Sequence, residues 1–197
     1  REMIAAFADR GSFRLANRAS IIWDEVFPMV LPPRPEDGLG VILLNSNAEA
    51  NFSFTNALGL VPSEQMRDIR IAMRQFPRAR WLIALHHHLV EYPKPISAFA
   101  ARIGTALING SAFVRQLKPL GRRAIALHGH RHIDWIGACG DTRIISAPSP
   151  VMSPLEIPYF YVHRFGPEPD GALAMLKPQR LDVDTGIRTP RSGKEAA

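Results

Sequence analysis

The sequence predicts an α/β domain built on a parallel sheet, and three observations carry that expectation. Continuous apolar runs of strand length recur at Val41-Ile42-Leu43-Leu44-Asn45, Trp81-Leu82-Ile83-Ala84-Leu85 and Ala124-Ile125-Ala126-Leu127-His128, the pattern of strands covered on both faces. Segments of helical period separate them, and strand, helix, strand in succession makes a βαβ unit. Two of the runs also empty into histidines, at the strand ends where parallel sheets place ligands.

Taken in order, residues 1 to 40 read as irregular: Arg1 to Trp23 is weakly amphipathic, and Pro28, Pro32, Pro33 and Pro35 break regular structure before Gly38 and Gly40. After the first strand, Asn47 to Gly59 reads as loop. Pro62-Ser63-Glu64-Gln65 opens a helix to about Gln75, with Met66, Ile69, Met73 and Phe76 at helical spacing and Pro77 beyond its end. The second strand follows. Glu91 to Ser97 reads as a loop with two prolines, and a second helix is expected over Ile103 to Leu117, with Gly121 past its end. Beyond the third strand, Ile133 to Cys139 and Thr142 to Ala147 flank Gly140-Asp141, a two-residue hairpin loop. Strands are expected at Tyr159 to Phe165 and Ala172 to Leu176, and a polar tail from about Pro178. There is no internal repeat.

Composition narrows the function. The 197 residues, 46% hydrophobic, fit one domain. No window holds the roughly 18 consecutive apolar residues of a membrane helix, and the N-terminus lacks a signal-peptide shape. A cytoplasmic protein without a membrane partner is the expectation. The single cysteine, Cys139, fits a reducing compartment and leaves any metal to His, Asp, Glu or Asn. The charge of +6 and pI of 10.1 raise nucleic acid as a partner, but the basic residues are dispersed and do not interleave with aromatics. A solvated basic surface is the better expectation, one that would also help attract an anionic substrate.

Six of the seven histidines occupy the two strand ends, as His86-His87-His88 and as Leu127-His128-Gly129-His130-Arg131-His132. Imidazole is the commonest protein ligand for first-row metals. Gly129 is expected to turn the backbone so that neighbouring rings diverge. His128 reads as a packing or orienting residue, His163 as structural, and Asp134, Glu91 and Arg131 as surface residues before ligands. The metallo-β-lactamase pattern H-x-H-x-D-H fails here and H-E-x-x-H is absent. What fits is G-H-x-H, Gly129-His130-Arg131-His132, at a strand end before a hairpin.

With Leu44-Asn45-Ser46, the helix after Pro62, Leu85-His86-His87-His88 and the closing Ser146-Ala147-Pro148-Ser149, this motif resembles the calcineurin-like metallophosphoesterases, particularly cyclic-nucleotide phosphodiesterases whose earlier strand ends in His-His-Pro. The resemblance runs from about Val41 to Met152. It implies an αββα sandwich and hydrolysis of a phosphomonoester or phosphodiester by two divalent ions, Mn, Fe or Zn, roughly 3.5 to 4 Å apart and sharing a bridging hydroxide. Carried over, the ligands are His87, His130 and His132. Leu89 stands where the family has proline, so the choice among His86, His87 and His88 stays open.

The family's earlier motifs, D-x-H, G-D-x-x-D and G-N-H, do not occur in these 197 residues. The chain therefore reads as the C-terminal half of such a domain, with no catalytic residue assigned and little turnover by itself. An inactive metal-binding or structural module is the alternative. Loss of half a sandwich is expected to leave an unpaired edge near Val41 to Leu44 or Trp81 to Leu85, open to association.

Overall fold

The computed structural model describes residues 26–47, 59–90, 107–149 and 157–183. Arg1 to Trp23, the segment from Glu91 to Ser97, the N-terminal part of the second expected helix and the end of the tail lie outside these residues.

Apolar runs that alternate between two covered faces make the central sheet. Its strands are β1 (Met29–Leu31), β2 (Leu39–Leu43), β3 (Arg80–Ala84), β4 (Ala124–His128), β5 (Trp135–Cys139) and β6 (Thr142–Ser146), in the order β1-β2-β3-β4-β6-β5. The inner four, β2, β3, β4 and β6, are parallel neighbours, and β1 and β5 close the edges antiparallel. The expected βαβ unit is present as β2, helix α1 (Ser63–Gln75) and β3. Helix α2 (Gly110–Leu117) begins later than expected, because Leu107 bridges to Gly59 and a turn follows, and it passes into a 3-10 turn, Lys118–Arg123, in which Gly121 takes φ +53° before β4.

Odd and even strand positions feed different cores. Trp81 and Ile83 of β3 and Ala124 and Ala126 of β4 face the helices, packing with Ile42, Ile69, Phe113 and Leu117. Their neighbours Leu82, Ile125 and Leu127 join Ile145, Leu173, Phe165 and Met175 on the other side. There the hairpin of β8 (Phe165–Pro167) and β9 (Leu173–Met175) supplies the cover. Arg122 fastens it to the sheet, reaching Glu168 and Asp170 at 2.6 Å each.

Four further expectations are corrected. The proline-rich start contains β1, three residues between Pro28 and Pro32 that pair with Leu43, Ile42 and Val41; prolines are tolerated beside an edge strand. Because β1 covers β2, and β3 lies between β2 and β4, neither Val41 to Leu44 nor Trp81 to Leu85 is an open edge. The run Tyr159 to Phe165 splits at His163 into β7 (Tyr159–Val162) and β8. Finally, the expected tail begins with a strand, β10 (Gln179–Asp182), antiparallel to β7. Arg180 is what the polar reading hid: its guanidinium lies 3.8 Å from the Tyr159 ring centre and its Nε donates to Asp182. Among the described residues no helix is long and apolar enough to cross a membrane.

Candidate metal centre

Strand register builds the site. Leu43, Ala84 and Leu127 lie side by side on β2, β3 and β4, and three residues further along each chain stand Ser46, His87 and His130. Backbone bonds extend the parallel ladder past the strand ends, from Leu85 N–H to Leu127 O (3.0 Å) and from Gly129 N–H to His86 O (3.1 Å). The histidine turns are thus held to each other by the sheet's own hydrogen bonding.

Three rings converge. His86, His87 and His130 each offer one ring nitrogen, and these atoms all lie within 4.8 Å of one another. Their ring centres are 4.6 to 4.9 Å apart, and His130 Nδ1 shares a hydrogen bond with His86 Nε2 at 2.8 Å. His87 is buried, His130 half-buried and His86 exposed. His132 is exposed and stands outside this group, although its charge helps hold the His86 imidazole below its ordinary range, after the larger effect of burial. Of the expected ligands, then, His87 and His130 face each other, and His86 completes the trio.

Ser46 fixes His87. Its Oγ is 2.9 Å from His87 Nδ1 and accepts the backbone N–H groups of His86 and His87, both at 3.2 Å. A hydroxyl so placed sets the ring's orientation, and coordination through Nε2 requires the tautomer in which Nδ1–H donates to Ser46. Ser46 is itself held in place. Gln65 of α1 exchanges two 3.0 Å hydrogen bonds with the backbone of Asn45, clamping the segment after β2.

Two backbone features complete the centre. Gly59 lies against the back of His87, where a Cβ would come within 2.6 Å of His87 Cβ and Nδ1; only glycine lets the ring stand there. The turn after β4 is not made by Gly129, whose surroundings leave room for a Cβ. It is His130 (φ 63°) and His132 (φ 55°) that take left-handed conformations. For non-glycine residues this costs on the order of 1 kcal/mol or more each, which corrects the role expected of Gly129.

The remaining histidines behave differently. His88 and His128 are buried, 6.3 Å apart between ring centres, and both fall to a pKa of about 4, first because burial disfavours the imidazolium. His163 stacks on Phe165, the packing role expected of it. Asp134 receives the hydroxyls of Tyr159 and Tyr161 at 3.1 and 2.9 Å. Arg131 is half-buried and its charge contributes to lowering the His88 pKa. Glu91 lies outside the described residues.

Three neutral imidazole nitrogens suit a divalent first-row ion such as Zn, with the fourth position open to water or substrate. Among the described residues no carboxylate belongs to the group. The trio by itself therefore fits one ion.

No family model matches the chain, and no curated protein matches it. Among solved structures it is similar to a Staphylococcus aureus protein assigned as a 5'-nucleotidase, in complex with α-ketoglutarate, at 13% identity and a TM-score of 0.41 over 78% of this chain. The chain spans 29% of that structure's length. It is also similar to a single-site variant of Vps29 from Entamoeba histolytica, at 13% identity and a TM-score of 0.22, covering 73% of this chain and 99% of that one. At these scores neither likeness carries an argument about fold or function.

Proposed function

We propose that this chain contributes to a metal-dependent hydrolase of phosphoesters, a phosphomonoesterase or phosphodiesterase of the calcineurin-like type. The observation that carries the reading is the convergence of His86, His87 and His130 at the carboxyl ends of adjacent parallel strands, joined to the G-H-x-H motif at 129–132. His87 and His130 hold one ion, with His86 beside them; His132, next in the motif, serves the second. Mn, Fe or Zn suits such donors.

A bound ion supplies Lewis acidity toward a phosphoryl oxygen and a water of lowered pKa. The protein's own residues do the rest. Ser46 holds the His87 ring, the β3–β4 ladder fixes the spacing of the two turns, and burial keeps the nearby His88 and His128 uncharged, so that they add no positive charge beside the ligands. The carboxylates that hold two dications at a fixed separation come, on this reading, from residues beyond the trio. The αββα sandwich and the role of this chain as its C-terminal half belong to the same proposal. So does a cytoplasmic setting with a small phosphoester as partner.

Two measurements test it. Titration with Zn²⁺ or Mn²⁺ should show binding that His130→Ala removes, while the 197 residues turn over an aryl phosphodiester far more slowly than about 1 s⁻¹. If the gene encodes a longer product with the D-x-H, G-D-x-x-D and G-N-H motifs, that product should hydrolyse it, and lose activity by orders of magnitude on His87→Ala or His130→Ala. If metal binds but no product of the gene hydrolyses phosphoesters, the site is a metal-binding module and the hydrolase reading falls.

A further inference from the structure

At the opposite end of the sheet the molecule carries a second feature, built of cations, aliphatic side chains and one neutral amide. The C-terminal half of α1 and the stretch from α2 into the 3-10 turn enclose an open groove of about 710 Å³. Arg70 and Arg74 reach it from α1, Arg115 from α2 and Arg123 from the turn, while Met73 and Leu120 contribute to its aliphatic floor. Among the described residues, no acidic group and no aromatic ring lines it. The 3-10 turn ends where β4 begins and α1 ends shortly before β3, so the length of each five-residue strand, about 16 Å at the strand rise, separates this groove from the His86, His87 and His130 trio.

Some surface arginines, Arg67, Arg78, Arg122 and Arg180, are paired with carboxylates. Among the described residues the four groove arginines are not. Arg70 donates to the neutral Gln116 amide at 3.0 Å, and Gln116 in turn donates to Met66 O at 2.7 Å, fixing the wall between the helices. Arg123 donates to the backbone carbonyls of Pro77, Ala79 and Pro119. Bonds to neutral groups orient a guanidinium without cancelling its charge. The groove thus holds four formal positive charges and no negative one, over a surface that favours apolar contact.

From this juxtaposition we infer that the groove is a docking site for an acidic peptide segment of a partner protein, one in which leucine-like side chains alternate with glutamate or aspartate. Guanidinium forks bind carboxylates bidentately, and the aliphatic floor takes the apolar side chains. A nucleic-acid strand is the poorer occupant because its bases need aromatic faces to stack on, and the lining has none. The groove's distance from the histidines makes docking independent of any bound metal.

The test is fluorescence anisotropy with a short labelled peptide in which leucine and glutamate alternate. The native chain should bind it, and binding should weaken by about tenfold or more for each of Arg74→Glu and Arg115→Glu, exposed positions whose replacement leaves the core intact. Circular dichroism checks that the fold survives, and Arg74→Lys, which keeps the charge and loses the fork, should give a smaller loss. Chelator or His130→Ala should change nothing. The inference is overturned if the native chain does not bind the peptide, if the charge reversals leave binding unchanged, or if a glutamate-only peptide or a single-stranded oligonucleotide binds as tightly.

Discussion

The two strand ends that carry the histidines hold two sets of rings with opposite character. His86, His87 and His130 stand with ring centres 4.6 to 4.9 Å apart and their nitrogens turned toward one another. One residue further along, His88 packs in the interior toward His128 at 6.3 Å, and both are held neutral by burial down to a pKa of about 4. Same residue type, same strands, different work. The contrast teaches that histidine count locates a site, whereas mutual ring geometry decides which members can share an ion.

The sharpest way to break the contrast is to remove one member of each set. His130→Ala should lower Zn²⁺ affinity more than about a hundredfold in calorimetric titration, since a ligand is lost outright. His88→Ala should leave affinity within a few-fold and instead cost about 2–4 kcal/mol of stability in denaturant unfolding, as loss of a buried ring leaves a cavity. Equal losses of metal affinity would show that the two sets are one.

A second test moves a ring without deleting it. Gly59→Ala places a Cβ against His87 and should reduce metal affinity by about 10–100-fold, with Ser46→Ala at the lower end of that range. Affinity unchanged in both would mean that His87 is not a ligand.

The buried pair also has its own pH signature. Because the unfolded histidines titrate near 6.5 and His88 and His128 near 4 in the folded chain, the unfolded state takes up more protons between those values. Stability should be fully present above pH 6.5, fall as pH drops toward 4, and gain no further loss from these groups below it. Thermal unfolding across that window checks this, and the slope should flatten in His88→Gln.

The smallest expected effect lies in the turn. Gly129→Ala should change stability by less than about 0.5 kcal/mol, whereas His130→Gly should gain about 1 kcal/mol by relieving a left-handed residue. Unfolding curves distinguish them. A gain from His130→Gly with loss of metal binding would show strain retained for function.

Much of this was legible in residue order because β3 and β4 are covered on both faces and must be apolar throughout, and because α1 has one apolar stripe ended by Pro77. The Gly140-Asp141 hairpin was legible too, since two-residue loops demand such residues. β1 and β10 were not. β1 hides among prolines that an edge strand tolerates, and β10 owes its place to pairing with β7 and to Arg180 on Tyr159, contacts from distant sequence. Within the site, the histidine runs announced themselves, but the choice among His86, His87 and His88 depends on a register that Ser46 helps set. Gly59 left no signal apart from being glycine; its importance exists only once His87 is beside it.

That register has a consequence for engineering. Parallel strands repeat at about 4.8 Å, and His130 meets His86 and His87 across the β3–β4 pair at nearly that spacing, so the pitch of the sheet sets the distance between the two turns that carry the donors. A ligand trio measured this way can be transplanted. Any parallel pair with a serine one strand over, in the row that Ser46, His87 and His130 occupy, offers the same template, and shifting one strand by a single residue would turn its ring to the opposite face and erase it.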